Sequence, residues 1–178
     1  MAVTNGYCTT AELREHLADG SSILTTALLE RAINSASRAI DRYCGRRFWL
    51  DAAVAQRTYT PDSLSRTFVD DIGTRAGLIV ETGTDGTTFP TTWASTDYVL
   101  EPRNAGVVGA GSSTDAHAFW EIVAIAGRTF SLHAYRPTLR VTAKFGWSAV
   151  PPEVTEACIL HGAPPMLEIS PKRQKKEA

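Results

Sequence analysis

The period of the hydrophobic pattern changes twice along this chain, and those changes constrain the fold more than any motif in it. As far as Cys44, apolar residues recur three and four apart, the spacing of a helix face. From Arg57 to Gly146 they come in short runs rich in Thr, Val, Tyr, Phe and Trp, broken by Gly, Pro, Asp and Asn. Beyond Pro151 the helical spacing returns. The second change falls inside AKFGWSAVPPEVTEACIL, Ala143 to Leu160, where a strand runs into a helix through a proline pair. The order helix, helix, strands, helix predicts an α+β protein. The economical arrangement joins the C-terminal helix to the N-terminal ones as a small helical bundle base, with an antiparallel β-rich domain inserted between them. Residues 1–56 are then the N-terminal part of the base, 57–146 the inserted β-rich domain, 147–163 the helix completing the base, and 164–178 a separate tail.

Local signals agree with this division. Thr9 stands three residues before Glu12, the capping-box spacing, with Cys8 and Leu13 at the staple positions. Leu13 and Leu17 give the first helix a short apolar face, and Asp19–Gly20 ends it. In the second helix Leu29, Ala32, Ile33, Ala36, Ile40 and Tyr43 share a face, and Gly45 stands where a C-terminal cap belongs. Arg31, Arg38, Arg42 and Arg46 fall on a different stripe. Strands are expected at QRTYT, RTFVDDI, GLIVET, TDYVLEP, FWEIVAI and TLRVTAKFGW, with turns at TDGT and at Gly127. Leu139, Val141, Ala143, Phe145 and Trp147 alternate onto one face of the last strand, with Arg140, Thr142 and Lys144 on the other. PRNAGVVGAGSSTDAHA reads as a long loop. Pro151–Pro152 opens the third helix, whose Val154, Ala157, Cys158 and His161 share a face.

The residues that catalysis requires do not assemble. His16, His117, His133 and His161 form no HxxxH or HxH pair, and no cysteine stands at a ligand spacing from them, so no metal site is expected. His161 reads as a packing residue. GAGSST lacks the strand–Ser–helix context of a nucleophile and the Lys of a phosphate loop. Asp70 and Asp71 are neighbours in a strand and point to opposite faces. Cys44 and Cys158 lie on or beside apolar helix faces, where a free thiol behaves as a small hydrophobe. The expectation is a protein that is not an enzyme and takes no cofactor.

Three cysteines with no CxxC pair predict a reducing compartment rather than a disulfide framework. The first residues show neither a basic nor an apolar leader region, and no uncharged run approaches the roughly 20 apolar residues a bilayer needs, so a soluble intracellular product with no membrane partner is expected. The net charge is −1, but KRQKKEA at the end holds four basic side chains and one acidic, leaving −4 on the preceding residues. That body gives no mandate for tight nucleic-acid binding.

Several stretches, in order, resemble the head-tail connector (adaptor) proteins of long-tailed bacteriophages: YCTTAELREHL, ALLERAINSASRAIDRYCGRRFW, WASTDYVLEPRNAG and LRVTAKFGWSAVPPEVTEACILHGA. The resemblance covers most of residues 7 to 163, and Gly106–Ala118 looks like a local elaboration. It implies a homo-oligomeric ring, usually of twelve subunits, docked beneath the portal protein in the virion neck. A stopper or tail-completion protein would bind its other face, and double-stranded DNA would pass through the channel without being held tightly. It also implies roles. Ala32, Ala36 and Ala39 would allow close helix packing; Tyr98, Leu100, Phe145 and Trp147 would form the β-domain's core and its seam with the base. Arg38, Arg42, Arg46 and Arg47 would contact neighbouring subunits or partners. In the tail, interrupted at Pro164–Pro165, Met166, Leu167 and Ile169 would anchor on the portal, with Lys172, Arg173, Lys175 and Lys176 as its basic end. Two other readings remain open: another neck component such as the stopper, and a monomeric ligand-binding β-domain using Trp93, Trp120 and Trp147 as stacking surfaces.

Overall fold

The computed structural model describes residues 2–17, 24–103, 105 and 117–163. The class is α+β, with three helices and two antiparallel sheets among the described residues. The chain divides into two compact units, Met1–Ile40 with Thr155–Ala178, and Asp41–Val154. The division falls within two helices rather than near residues 56 and 146. Residues following Cys44 belong with the strands because they pack there: the Phe48 and Trp147 rings lie 5.2 Å apart, and Asp51 N–H donates to the Phe145 carbonyl.

The first unit buries Tyr7, Leu13, Leu29 and Ile33 together with the smaller Cys8, Ala36, Ser37 and Cys158. Helix α1 (Thr10–His16) begins with the complete capping box, the Thr9 hydroxyl accepting from Glu12 N–H while the Glu12 carboxylate accepts from Thr9 N–H. Such a cap contributes about 1 kcal/mol. Helix α2 (Thr26–Cys44) buries Leu29, Ile33, Ala36 and Ser37. Helix α3 (Pro152–Gly162) buries Cys158, Ile159 and Gly162. A Cβ added at Gly162 would stand 3.6 Å from Leu13 and 3.8 Å from Ala36, so the end of α3 meets both other helices where the residues are small. The extended segment before α1 is tied to α2 by Tyr7 N–H donating to Ser37 Oγ and by both ends of the Asn34 amide.

Three features of the helices differ from the sequence pattern. Tyr43 is 93% exposed, because α2 is near its C-terminus there and the buried stripe stops at Ser37. Cys44 is exposed for the same reason. On α3 the buried face passes through Cys158, Ile159 and Gly162, so Ala157 and His161 are exposed and His161 is not a packing residue.

In the second unit β1 (Ala55–Tyr59), β7 (Leu139–Ala143), β3 (Ile79–Thr82) and β4 (Thr91–Trp93) form one sheet in that order. A second holds β2 (Arg66–Ile72), β6 (Phe119–Ala124) and β5 (Tyr98–Glu101). All pairings are antiparallel. Strand β7 alternates as its sequence requires: Leu139, Val141 and Ala143 are fully buried, with Phe145 continuing that face. They join Ile72, Val80, Trp93, Leu100, Ile122 and Phe130 in a single core. The six expected strands are present; β4 is additional. The connection before it runs over the eight residues 83–90 rather than a tight Asp-Gly turn, with Asp85 accepting from Thr87 N–H and Thr88 N–H and Gly86 at φ 75°.

The strand-to-helix junction depends on Gly146. Its φ is 109°, a value L side chains rarely adopt, and a Cβ there would overlap the Trp49 carbonyl. Gly146 N–H donates to the Asp71 carbonyl, and Trp147 Nε1 donates to the Asp71 carboxylate at 3.0 Å.

Candidate partner-contact surfaces

Two depressions on the second unit concentrate charge, and they use it differently. The first, about 380 Å³, is lined by Asp41, Gly45, Arg46, Arg47, Arg57, Asp70, Asp71, Phe145 and Gly146. Its arginines are already engaged. Arg57 Nη1 lies 2.7 Å from Asp70 and stacks its guanidinium 4.1 Å from the Phe145 centroid. Arg47 donates to Asp51 at 2.8 Å and covers Trp49 at 4.3 Å; Arg46 lies 3.5 Å from Asp71 and 5.7 Å from the Trp120 centroid.

Asp70 and Asp71 both edge this depression, where the register of β2 shifts between Phe68 and Ile72. Each is bound by different groups. Burial raises the Asp70 carboxyl, but donation from Arg57 and from Tyr59 Oη at 2.8 Å outweighs it and holds Asp70 below the usual range. At Asp71 burial dominates over Trp147 and Arg46, and the carboxyl is pushed up. The Tyr59 hydroxyl is itself pushed up by burial and by Asp70.

The second depression, about 610 Å³, is lined by Leu50, Gly73, Thr74, Arg75, Ala76, Ala105, His117, Phe119, Lys144 and Ser148. It contains no carboxylate. Arg75 rests over the Phe119 ring at 4.9 Å, and neither it nor Lys144 makes an ion pair among the described residues. His117 Nδ1 and Ser148 Oγ share a 2.8 Å hydrogen bond, and His117 N–H donates to the same oxygen. Two cations with no carboxylate beside them suit an anionic oxygen from a partner.

The four arginines that the resemblance marks as contacts, Arg38, Arg42, Arg46 and Arg47, separate. Arg38 is half-buried; its guanidinium donates to the Asn5 carbonyl at 3.0 Å and lies 5.8 Å from the Tyr7 centroid, so it fastens the N-terminal segment. Arg46 and Arg47 are held in the first depression. Arg42 is exposed and free of ion pairs among the described residues. Met166, Leu167, Ile169, Lys172, Arg173, Lys175 and Lys176 lie outside the described residues, as does most of the Gly106–Ala118 loop. Arg75 lies between β2 and β3 and Lys144 just beyond β7, and no local spacing shows whether a carboxylate stands beside either.

Of the tryptophans considered as stacking surfaces, Trp93 is in the core, stacked on Phe130 at 4.9 Å, and Trp120 and Trp147 are half-buried. Among the described residues no group of His, Cys, Asp or Glu is placed to hold a metal, and no helix is long and apolar enough to cross a membrane. In the first unit an apolar groove of about 400 Å³ is lined by Leu17, Leu24, Leu28, Leu29, Ala32, Ser35, Ala36, His161, Gly162 and Ala163.

No family model matches the chain, and no curated protein matches it. Among solved structures it is similar to a chain in the neck of an empty GTA particle, computed with C6 symmetry. The TM-score is 0.55 at 18% identity, over 91% of this chain and 79% of that one. The chain therefore shares the fold of a neck component over nearly its full length.

Proposed function

We propose that this chain is a structural protein of the neck of a phage-like particle, a head-to-tail adaptor. Copies form a ring beneath the portal, join capsid to tail or stopper, and surround the channel through which double-stranded DNA leaves. It performs no covalent chemistry and takes no cofactor; it is located in the virion after assembly in the host cytoplasm. The observation that carries this reading is the fold correspondence with a neck chain over 91% of the sequence. The ordered resemblance of its helices and junction to connector proteins supports it independently. Twelve copies are expected, a number compatible with the six-fold symmetry of that neck. A body carrying −4 without the basic end suits a channel wall that lets DNA slide.

The tail is assigned the portal contact. Deleting residues 164–178 is expected to abolish docking on portal rings while leaving the circular-dichroism spectrum and melting transition unchanged. Undiminished docking by the truncated chain, measured by co-sedimentation, contradicts that assignment. Strong salt-dependent DNA binding by the truncated ring contradicts the passive channel. The competing reading, a stopper or tail-completion protein, is separated by which neighbour is bound: an adaptor contacts portal directly, and a stopper binds only once an adaptor ring is in place.

A further inference from the structure

We propose that Cys8 and Cys158 are an oxidisable pair that closes into a disulfide when the protein passes from a reducing to an oxidising medium, joining the segment ahead of α1 covalently to α3. Their sulfurs lie 3.3 Å apart although 150 positions separate them in sequence, and both side chains are buried. Ser37 Oγ stands 3.5 Å from Cys158 Sγ while accepting from Tyr7 N–H, so thiols and hydroxyl form one small cluster inside the first unit. A disulfide requires a separation of about 2.05 Å. Cys8 lies outside the helices, so the remaining approach requires a shift of the N-terminal segment and no helix movement.

Single buried thiols are inert, but two in contact each supply the other's resolving partner. Burial and the Cys158 sulfur push the Cys8 thiol up. The oxidant is a small-molecule disulfide such as oxidised glutathione. The Cys158 thiolate attacks one of its sulfurs and expels a glutathione thiolate. Cys8, after losing its proton, attacks Cys158 Sγ and expels the second. Two protein thiols are oxidised and one external disulfide is reduced to two thiols. Access comes from release of residues 2–5, whose hydrogen bonds to Asn34 and Arg38 lie at the surface. The link would close a loop spanning nearly the whole chain, the case in which cross-linking restricts the unfolded state most. The inference stands independently of the neck reading.

The test uses the full chain carrying Cys44→Ser, which removes the exposed third thiol. After incubation with oxidised glutathione, intact mass is expected to fall by two hydrogens, peptide mapping to show Cys8 linked to Cys158, and Tm to rise by roughly 10 °C, reversibly on adding dithiothreitol. Adding Cys8→Ser to that variant should remove the Tm shift. Two thiols still free after oxidation, including a parallel sample unfolded and refolded in the glutathione buffer, would overturn the proposal. So would mixed disulfides without the internal link, or a link that lowers Tm.

Discussion

The two depressions of the second unit both draw on the stretch Lys144–Ser148, yet the cations of one are paired with carboxylates and those of the other are not. Around Arg46, Arg47 and Arg57 each guanidinium has a carboxylate and an aromatic face, so its charge is used within the chain. Around Arg75 and Lys144 there are aromatic and hydroxyl neighbours but no carboxylate. A partially exposed ion pair contributes little, about 1 kcal/mol or less, but it decides whether the cation is available to another molecule. Availability for docking is thus a property of pairing and not of arginine count.

The first depression is expected to behave as part of the fold. Gly146→Ala should cost more than about 3 kcal/mol in urea unfolding, because the residue sits at φ 109° and the new methyl would meet the Trp49 carbonyl. An effect below 1 kcal/mol would mean that the junction tolerates rearrangement. The second depression is expected to behave as a contact surface. Arg75→Glu with Lys144→Glu should leave stability within about 0.5 kcal/mol but weaken ring or neck association by at least roughly tenfold, mostly through the association rate. Arg46→Ala with Arg57→Ala should do the reverse. Equal effects of the two pairs on association, measured by sedimentation, would erase the distinction.

The smallest expected effect separates two neighbouring carboxylates. Asp70 is held below its ordinary value of 3.8 when folded, so its contribution is present above that value and is lost as pH falls through the folded one. Asp71 is raised when folded, so its favourable contribution lies at low pH and is lost as pH rises through the window above 3.8. At neutral pH Asp70→Asn should destabilise, by about 1 kcal/mol or less, and Asp71→Asn should be neutral or slightly stabilising. Urea midpoints between pH 3 and 7 check the signs; parallel profiles for the two variants would contradict the assignment.

The fold was legible where local chemistry and burial agree. Thr9 and Glu12 are adjacent enough to cap a helix regardless of context, and β7 has its core on one face, so its alternation survives into the structure. Strand β4 was missed because TTW is three residues long and only Trp93 is buried. Tyr43 lies beyond the last buried residue of α2, Ser37, and His161 lies off the face of α3 that carries Cys158, Ile159 and Gly162, and apolar spacing encodes neither limit. The site was less legible. Arg38 shares its stripe with Arg42, yet the Asn5 carbonyl and Tyr7 ring that engage it come from a segment more than 30 positions away. The thiol pair joins residues 150 apart, and no local rule brings Cys8 to Cys158.

The most direct measurement of the neck assignment is electron-microscope imaging of the purified full chain mixed with portal rings. The account predicts annular complexes with an open centre, each a portal ring carrying a coaxial second ring with six- or twelve-fold symmetry. Portal rings that remain bare while the chain stays monomeric beside them would contradict it.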